Sequence, residues 1–401
     1  MNAGIQSLWV ADDSPFGLAN LPYGVYSVPG RPPRVATRFG DYVIDLGAVL
    51  GDSGDNSVFN EPTLNGFMAQ GYDRWTQIRR TLSDTLSGAI PRDAVHDLST
   101  VTLHLPFEVA DYVDFFASEN HVARMGAMFR PSDPDPLPKA WKHLPISYHG
   151  RAASIVVSGT DIVRPAGQRL GPDGRTPEFG PSVRLDIEAE LGFVVGTGNL
   201  MGQPIDVSVA DRHIFGVVLF NDWSARDIQA WEYVPLGPNL AKSFGSTISA
   251  WVVPLLALTP ARVETPKQDP VLPYLAMQSP WGLDVDLVVE WNGQAISRPP
   301  YASMYWSPAQ MLAHLTVNGA PTRTGDLFAS GTISGPEQGQ NGAFIELNRG
   351  GTEQITVGRE RRTFVEDGDE IVLSATAPGP NGIRLGFGEA ASRIVKNDVD
   401  L

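Results

Sequence analysis

The chain has 401 residues, 41 glycines, 33 prolines, a formal net charge of −15 and no cysteine. Its length favours two domains, and its many turn-forming residues favour short strands over long helices. The acidic balance argues against a nucleic acid or an anionic membrane as partner. The lack of cysteine excludes disulfides, thiolate metal sites and cysteine nucleophiles.

The sequence also carries no sign of targeting to a membrane. No basic segment followed by an apolar one opens the chain. No apolar run reaches the roughly 18 residues that a membrane span requires. We therefore expect a cytoplasmic protein.

Residues 1–108 are expected to form a separate small domain rich in β-structure. The segments 34–39 and 42–46 flank turn residues and predict a hairpin. The lone histidines His96 and His104 are interpreted as structural. A helix with one apolar face is predicted where four apolar residues recur at helical spacing: Trp75, Ile78, Leu82 and Leu86.

The segment 111–121 contains two candidate site residues, Asp114 and His121, about two helical turns apart. If only its second half is helical, His121 lies in the first turn and Asp114 on the preceding strand. In either arrangement both side chains could border one pocket, although a surface ion pair or a capping aspartate is favoured when the segment is taken alone. The loops 130–138 and 144–151 follow, and such loops often border sites.

Residues 185–191 alternate between apolar and acidic side chains, which predicts a strand with one acidic face. Three like charges in a row destabilise a strand unless water or a cation compensates them. For an isolated strand, a solvated outer face is the favoured interpretation. The alternative is a divalent cation held by Glu188 and Glu190, with Asp114 and Asp222 completing the shell. Oxygen ligands of this kind suit Ca²⁺, Mg²⁺ or Mn²⁺. The acids of the pattern are Asp186, Glu188 and Glu190.

An unbroken apolar run at 215–220 predicts a fully buried strand, and polar side chains follow directly after it. Polar groups packed against the end of a buried strand need partners. A carboxylate, two cations and an amide in this position indicate a site for an anionic, oxygen-rich ligand on a metal. A buried salt-bridge network at a loop explains them about equally well. The residues are Asp222, Arg226, Gln229 and Lys242.

The rest of the chain predicts mainly strands and turns. Its predicted elements are a strand at 154–158, a strand at 285–291 closed by a hairpin turn, a helix at 308–316, a small-residue loop at 324–335, a strand at 343–347 carrying Glu346, a hairpin at 364–373 and a last strand at 384–389.

Long motifs of the chain resemble the full-length form of the fumarylacetoacetate hydrolase family. The resemblance implies a mainly β, α+β fold, in which a small SH3-like N-terminal barrel (1–108) precedes a catalytic mixed β-sandwich roll (109–401). It also implies a homodimer. The stretches that carry it are DYVDFFASENH (111–121), HLPISYHGRAASIVVSG (143–159), RLDIEAELGFVVG (184–196), NDWSARDIQAWEYVPLGPNLAKSFGS (221–246), LFASGTISGPE (327–337) and FIEL (344–347).

The resemblance further implies roles for individual residues. The metal ligands fall on Asp114, Glu188, Glu190 and Asp222, and a second cation site falls on Asp222, Lys242 and Ser246. The catalytic residues implied are His121, its carboxylate partner Glu346, and the donors Arg226, Gln229 and Lys242. The substrate contacts implied are Phe116, Arg130, Tyr148, Arg226, Gln229, Tyr233, Lys242 and Thr332.

The implied activity is metal-dependent hydrolysis of a carbon–carbon bond in an anionic diketo acid, 4-fumarylacetoacetate, to fumarate and acetoacetate. Two positions depart from the animal members, which have Thr at Ser246 and a substrate-contacting Tyr at Phe116. Because Phe116 lacks the hydroxyl, a hydrolase or decarboxylase of another acylpyruvate or β-keto acid is the alternative. A non-catalytic dicarboxylate-binding protein is disfavoured, since simple binding needs neither His121 nor Glu346.

Overall fold

The structure is a computed structural model that describes residues 4–51 and 53–397. Its strands are β1 Ile5–Ser7, β2 Tyr23–Ser27, β3 Arg34–Phe39, β4 Tyr42–Asp45, β5 Ala89–Pro91, β6 Val95–Asp97, β7 Thr102–His104, β8 Tyr112–Phe115, β9 Ser147–His149, β10 Ile155–Val157, β11 Ile162–Val163, β12 Ala166–Leu170, β13 Pro177–Pro181, β14 Leu185–Asp186, β15 Ala189–Val195, β16 Ile214–Asp222, β17 Ser224–Ala225, β18 Ser246–Ile248, β19 Trp251–Pro254, β20 Arg262–Glu264, β21 Trp281–Leu283, β22 Asp286–Trp291, β23 Gln294–Ser297, β24 Leu327–Ala329, β25 Ile355–Val357, β26 Glu360–Arg362, β27 Glu370–Pro378 and β28 Arg384–Val395. Its α-helices are α1 Leu46–Leu50, α2 Asn65–Met68, α3 Tyr72–Leu86, α4 Glu119–Phe129, α5 Arg226–Glu232, α6 Pro308–Thr316 and α7 Phe344–Leu347.

Strands dominate this architecture, which confirms the predicted mainly β class with few helices. The largest sheet runs in the order β6-β4-β3-β2-β19-β16-β15-β24-β8-β9, with β7 beside β2 and β18 beside β16 and β10. It is mixed, because β24 and β8 pair in parallel whereas β15 and β16 pair antiparallel. A second sheet has the order β11-β28-β27-β22-β23.

Strand β16 lies in the middle of the large sheet, and all nine of its residues are buried. Successive side chains of a strand point to opposite faces. Accordingly Val217 and Leu219 pack into one hydrophobic core, and Val218 and Phe220 pack into another. A strand with a core on each side has no solvated face, so its apolar run is unbroken. The prediction of a fully buried strand is confirmed.

The N-terminal segment shares this sheet with the rest of the chain. Its predicted hairpin is present as β3 and β4, with Phe39 opposite Tyr42. Strand β2 then pairs with β19, where Gly24 lies opposite Trp251. A Cβ atom at Gly24 would meet the Trp251 ring at 2.7 Å, so only glycine allows this approach. The predicted apolar face of α3 is buried as well: Trp75, Ile78, Leu82 and Leu86.

The two N-terminal histidines have contacts within this segment. The His96 ring packs on Tyr26 with ring centroids 5.1 Å apart. The His104 Nε2 atom lies 2.7 Å from the hydroxyl of Ser27. Both contacts agree with the interpretation of these histidines as structural.

Five local predictions were wrong. The loops predicted at 144–151 and 324–335 each contain a strand of the large sheet, β9 and β24 respectively. Residues 343–347 are not a strand, because Phe344–Leu347 forms the short helix α7. Residues 364–373 are not a hairpin, because β27 begins at Glu370 and pairs instead with β22 and β28. The strand predicted at 185–191 is interrupted between β14 and β15, which pair with different partners.

Other predicted elements are confirmed. Helix α6 coincides with the predicted helix, and Ser307 with Gln310 forms a capping box at its start. Strands β22 and β23 form the predicted hairpin, with Asn292 and Gly293 at positive φ in its turn. Among the described residues, no helix combines the length and apolar character needed to cross a membrane.

Candidate active site

Four carboxylates meet where strands of the large sheet end. Asp114 lies on β8, Glu190 on β15, Asp222 at the end of β16, and Glu188 in the short connection before β15. Glu190 is paired with Phe220, two residues before Asp222, so Glu190 and Asp222 project from the same face. All four are buried, and each contributes an oxygen to a group within 4.8 Å of one another. The interpretation of Glu188 and Glu190 as a solvated face is therefore wrong.

The charges of this cluster are compensated unevenly. The Lys242 Nζ lies 2.6 Å from Glu188, and Arg226 Nη1 lies 2.7 Å from it. Burial raises the pKa of Glu188, but these cations outweigh burial and the net shift is downward. In the part of the chain that the structure describes, Asp114 and Glu190 have no ion pair. Burial, reinforced by the neighbouring carboxylates, raises the pKa of both well above the ordinary range.

Unpartnered oxygens in the same place show that a cation would fit. Asp114 Oδ1 and Glu190 Oε1 are buried and accept no hydrogen bond from any described residue. Glu190 Oε2 accepts from the Gly331 N–H at 2.9 Å. Gly331 has φ of 76°, and a Cβ there would meet the Phe115 carbonyl at 2.2 Å, so glycine is required. Buried carboxylate oxygens without donors, in an all-oxygen set, suit a hard divalent cation.

Asp222 connects the cluster to further predicted residues. It accepts from Lys242 Nζ at 2.8 Å and from Ser246 Oγ at 3.0 Å, Ser246 being its partner across β16 and β18. The Tyr148 hydroxyl donates to the same carboxylate at 3.4 Å. The Lys242 ammonium has no lone pair to offer a second cation. In this structure its side chain is a fixed positive charge between Glu188 and Asp222.

His121 and Glu346 form a buried pair beside the cluster. His121 lies in the first turn of α4, where its backbone N–H donates to the capping Ser118, and Asp114 lies on the preceding strand. His121 Nδ1 is 2.9 Å from Glu346 Oε2. Burial raises the pKa of Glu346, but the attraction of His121 and the hydrogen bond from Ser334 lower it overall. Glu346 is thus held as a carboxylate within ion-pair distance of His121 Nδ1, although the two atoms are not aligned for a hydrogen bond.

Arg226 opens helix α5 and is fixed on three sides. Its Nε donates to Asp186 Oδ2 at 2.8 Å, and Nη1 donates to Gln229 Oε1 at 3.0 Å while facing Glu188. Its second terminal nitrogen, Nη2, is buried without a partner among the described residues. A guanidinium with a free N–H in a dry site can donate to a ligand oxygen.

These groups meet at a cavity of about 200 Å³. The Phe116 ring stands edge-on to His121, with centroids 5.5 Å apart. The cavity can therefore hold a small anion between a basic side, an apolar side and the cluster. The predicted site residues that line it are Phe116, His121, Arg130, Glu188, Arg226, Gln229 and Tyr233.

Other predicted contacts lie outside this lining. Tyr148 and Lys242 line a separate cavity of about 90 Å³. Thr332 is buried with its hydroxyl unpartnered among the described residues, and it lines neither cavity. Arg130 donates to the Pro136 carbonyl at 2.8 Å, so the proline-rich loop currently holds its guanidinium.

Sequence reasoning missed the residues that support Glu346. Ser334 Oγ donates to it at 2.8 Å, Arg124 Nη1 at 3.3 Å and Asn341 Nδ2 at 3.4 Å. Arg124 follows His121 by three residues on one helix, and this spacing was an available signal. Ser334 and Asn341 reach the site only through the fold, so no local pattern indicates them.

Comparisons with known proteins cover both halves of the chain. The family model described as fumarylacetoacetase N-terminal matches residues 19–106, and the model described as fumarylacetoacetate hydrolase C-terminal matches residues 112–395. The chain is 45% identical over 412 residues to a fumarylacetoacetase of Homo sapiens, covering 96% of this chain and 97% of that protein. It is 45% identical over 411 residues to one of Arabidopsis thaliana, with coverages of 96% and 97%.

Solved structures support the fold at much lower identity. A fumarylacetoacetate hydrolase from Exiguobacterium antarcticum superposes with a TM-score of 0.58 at 16% identity, over 94% of this chain and all of the other. A 2-hydroxyhepta-2,4-diene-1,7-dioate isomerase from Mycobacterium marinum gives a TM-score of 0.53 at 15% identity, again over 94% of this chain and all of the other.

Proposed function

The chain belongs to the fumarylacetoacetase family, and we propose that its buried site hydrolyses 4-fumarylacetoacetate to fumarate and acetoacetate, the final step of tyrosine and phenylalanine breakdown. The observation that carries this function is the four-carboxylate cluster next to the His121–Glu346 pair, in a chain related to fumarylacetoacetases over nearly its whole length. A binding protein would need the cluster but not the dyad.

His121 acts as the general base. Its Nδ1 atom lies 2.9 Å from Glu346, which leaves Nε2 to take a proton from the attacking water. Glu346 fixes the ring orientation and stabilises the imidazolium that forms, as the carboxylate of a catalytic triad does. The lowered pKa of Glu346 supports this role, because only the ionised form can do both.

The four carboxylates Asp114, Glu188, Glu190 and Asp222 are the metal ligands in this scheme, and Ca²⁺, Mg²⁺ and Mn²⁺ all suit their oxygens. A cation bound there would supply polarisation of the carbonyl under attack. A second cation site at Asp222 and Ser246 would have to use the backbone carbonyl of Lys242, whose ammonium is not a ligand.

Basic side chains stabilise the negative charge that develops on the substrate. Arg226 and the amide side chain of Gln229 line the cavity, and Lys242 contacts Oε2 of Glu188 while Arg226 contacts Oε1. Donors fixed in a buried site are effective because they need no reorganisation during the reaction. The substrate carboxylate end is assigned to Arg130 and Tyr148, and the remaining contacts to Phe116, Tyr233 and Thr332.

The organisation of the whole molecule is also proposed. The ranges of the two family matches support a boundary near residue 108, with a catalytic domain over 109–401 after an SH3-like N-terminal domain. A homodimer and a cytoplasmic location stay predictions from the family resemblance and the sequence. Sedimentation of the purified protein would test the dimer.

The purified protein should consume fumarylacetoacetate, and treatment with a chelator should abolish this turnover. The physical reason is that Asp114 and Glu190 are buried without an ion pair among the described residues, so burial and the neighbouring carboxylates raise the pKa of both. The loss of substrate is followed optically, and activity is restored by adding back Mg²⁺, Ca²⁺ or Mn²⁺. Undiminished turnover in a protein shown by elemental analysis to be metal-free would contradict the metal role. A metal-loaded protein that did not turn over fumarylacetoacetate would contradict the assignment of this compound as the substrate.

Phe116 favours a second candidate function, hydrolysis or decarboxylation of another β-keto acid. The ring offers no hydroxyl to the substrate, and one hydrogen bond to a charged group is worth about 1.5–3 kcal/mol. A panel of acylpyruvates and β-keto acids would separate the two functions. Fumarylacetoacetate should give the highest kcat/KM of the panel.

Restoring the hydroxyl should improve the binding of fumarylacetoacetate. In Phe116→Tyr we expect KM to fall by roughly tenfold or more, because the added donor strengthens ground-state and transition-state binding alike. The kcat value should change by less than about threefold. A higher KM in the variant, with fold and metal content unchanged, would instead indicate that the site accepts a different substrate.

A further inference from the structure

Asp186 is the one acid of the alternating segment 185–191 that stays outside the carboxylate cluster. It is fully buried, so its charge needs strong partners. Its backbone is fixed by pairing with Ser224 across β14 and β17, and the Arg226 N–H donates to the Arg184 carbonyl at 2.9 Å. Asp186 is thus held rigidly beside the start of α5.

The Asp186 carboxylate bonds to two separate parts of the site. Oδ2 accepts from Arg226 Nε at 2.8 Å. Oδ1 accepts from the Phe344 N–H at 2.8 Å, and Oδ2 also accepts from the Ile345 N–H at 3.2 Å. These two amides belong to the first residues of α7, the four-residue helix that carries Glu346. One carboxylate therefore holds the guanidinium on one side and the Glu346 helix on the other.

Asp186 accepts hydrogen bonds from the first amides of α7 and from Arg226 Nε that no other described side chain accepts. Helix α7 is a single turn, and such a helix has no stability of its own. Its flanking residue Ala343 makes no side-chain cap. The Arg226 guanidinium would otherwise be oriented only by Glu188 and Gln229.

We propose that Asp186 is a positioning residue that sets Arg226 and the Glu346 helix at a fixed distance from each other. It does not itself line the cavity, and it acts through these two groups. The proposal rests on the function assigned to the His121–Glu346 pair and Arg226. It predicts that a change at Asp186 alters both catalytic parts together.

The test is Asp186→Asn. The amide keeps the size of the carboxylate, but its NH₂ group must face either the Arg226 Nε–H or an α7 amide, and both are donors. Losing the hydrogen bond on one side and the charge that strengthens the bond on the other should lower kcat/KM by roughly 10- to 100-fold. Most of the loss should appear in kcat. Divalent-cation affinity by calorimetry should stay within about threefold, because Asp186 is not in the cluster.

A matched control lies on the adjacent helix residue. Asp227 is also a mostly buried carboxylate, and it accepts from Ser182 Oγ at 2.6 Å and from the Val183 N–H at 2.8 Å. It contacts neither Arg226 by its side chain nor α7. Asp227→Asn should therefore leave kcat/KM within about threefold of the unmodified protein.

A double-mutant cycle separates positioning from general destabilisation. If Asp186 acts through Arg226, Asp186→Asn should lower kcat/KM clearly less in an Arg226→Gln background than in the unmodified protein. If it also acts through the Glu346 helix, its effect on kcat/KM should likewise be smaller in a Glu346→Gln background. Fully multiplicative losses in both backgrounds would overturn the proposal. If Asp186→Asn does not fold, the variant to test is Asp186→Glu, which keeps the charge but moves it by one methylene. An unchanged kcat in folded Asp186→Glu would also overturn the proposed positioning role.

A crystal structure of the Asp186→Asn protein gives a readout that does not depend on turnover. Displacement of Arg226 and of α7 supports the positioning role, and unmoved positions of both contradict it. If the unmodified, metal-loaded protein did not hydrolyse fumarylacetoacetate, the proposed function would be wrong. The comparison of the two crystal structures would still decide whether Asp186 positions Arg226 and α7.

Discussion

Replacing His121 by alanine should lower kcat for fumarylacetoacetate by roughly 100- to 10,000-fold, the range that a positioned general base contributes. The imidazole is the buried group that pairs with Glu346 and faces the cavity. Without it, no other side chain of the cavity lining can accept a proton near neutral pH, since Glu188 is held ionised with a low pKa by Lys242 and Arg226. Water would then attack unassisted.

The fold should survive this change, which makes the result interpretable. Alanine is a good helix former, and the cap of α4 involves the backbone N–H of His121 rather than its ring. His143→Ala, at an exposed histidine on the following loop, is the control and should retain full activity. Substantial turnover by a folded, metal-loaded His121→Ala protein would remove the assignment of His121 as general base.

The central strand β16 and the acidic residues near it could be predicted because the physical requirements on them act on neighbouring residues of the chain. A strand with a core on both faces must be apolar at every position, and residues 215–220 satisfy this. Polar residues placed directly after such a strand need partners nearby. The cluster formed by Asp114, Glu188, Glu190 and Asp222 could therefore be suggested from the pattern, although only the family resemblance favoured it over a solvated face.

The segment 343–347 shows where local reasoning failed. Its five apolar or acidic residues resemble a short strand, and no propensity favours a one-turn helix. The first amides of the helix donate hydrogen bonds to Asp186, more than 150 residues earlier in the chain, and Phe344 stacks on Trp291. A contact of that range has no trace in the local sequence, so the element type could not be predicted.

The prediction of one continuous strand at 185–191 was wrong for a related reason. Strict alternation predicts that Asp186, Glu188 and Glu190 share one face. The strand is interrupted after Asp186, and β14 and β15 take different partners. Asp186 consequently turns to Arg226 while the two glutamates join the cluster. Periodicity gives the face of a continuous strand, but it does not indicate where pairing changes.

Glu190→Gln should produce two opposite effects that together test the metal site. Glu190 is fully buried among like charges, and its pKa is raised well above the ordinary range. A carboxyl with a raised pKa binds its proton more tightly in the folded state. The metal-free protein therefore loses stability as the pH rises above the ordinary glutamate value of about 4.3. Glutamine cannot ionise, so the metal-free variant should melt at a higher temperature than the unmodified protein at pH 7.

Binding of a divalent cation should respond in the other direction. Losing a group that merely supports a metal ligand costs about 10- to 100-fold in affinity, so losing a charged ligand should cost at least ~100-fold. The amide oxygen can still accept from the Gly331 N–H, which keeps the local fold. Metal should consequently stabilise the variant far less than it stabilises the unmodified protein.

Calorimetric titration with Mg²⁺, Ca²⁺ and Mn²⁺ measures the affinity, and thermal melts of metal-free protein at pH 4 and pH 7 measure the stability. The difference in melting temperature between Glu190→Gln and the unmodified protein should be small at pH 4 and larger at pH 7. The reason is that a glutamate side chain can ionise in this pH range, whereas the glutamine that replaces it cannot. Glu264→Gln, at an exposed strand position, should change neither quantity. A variant that binds metal as tightly as the unmodified protein would exclude Glu190 from the ligand set. If metal-free Glu190→Gln melted at a lower temperature than the metal-free unmodified protein, the charge of Glu190 would be compensated by groups of the protein itself and not by a bound metal ion.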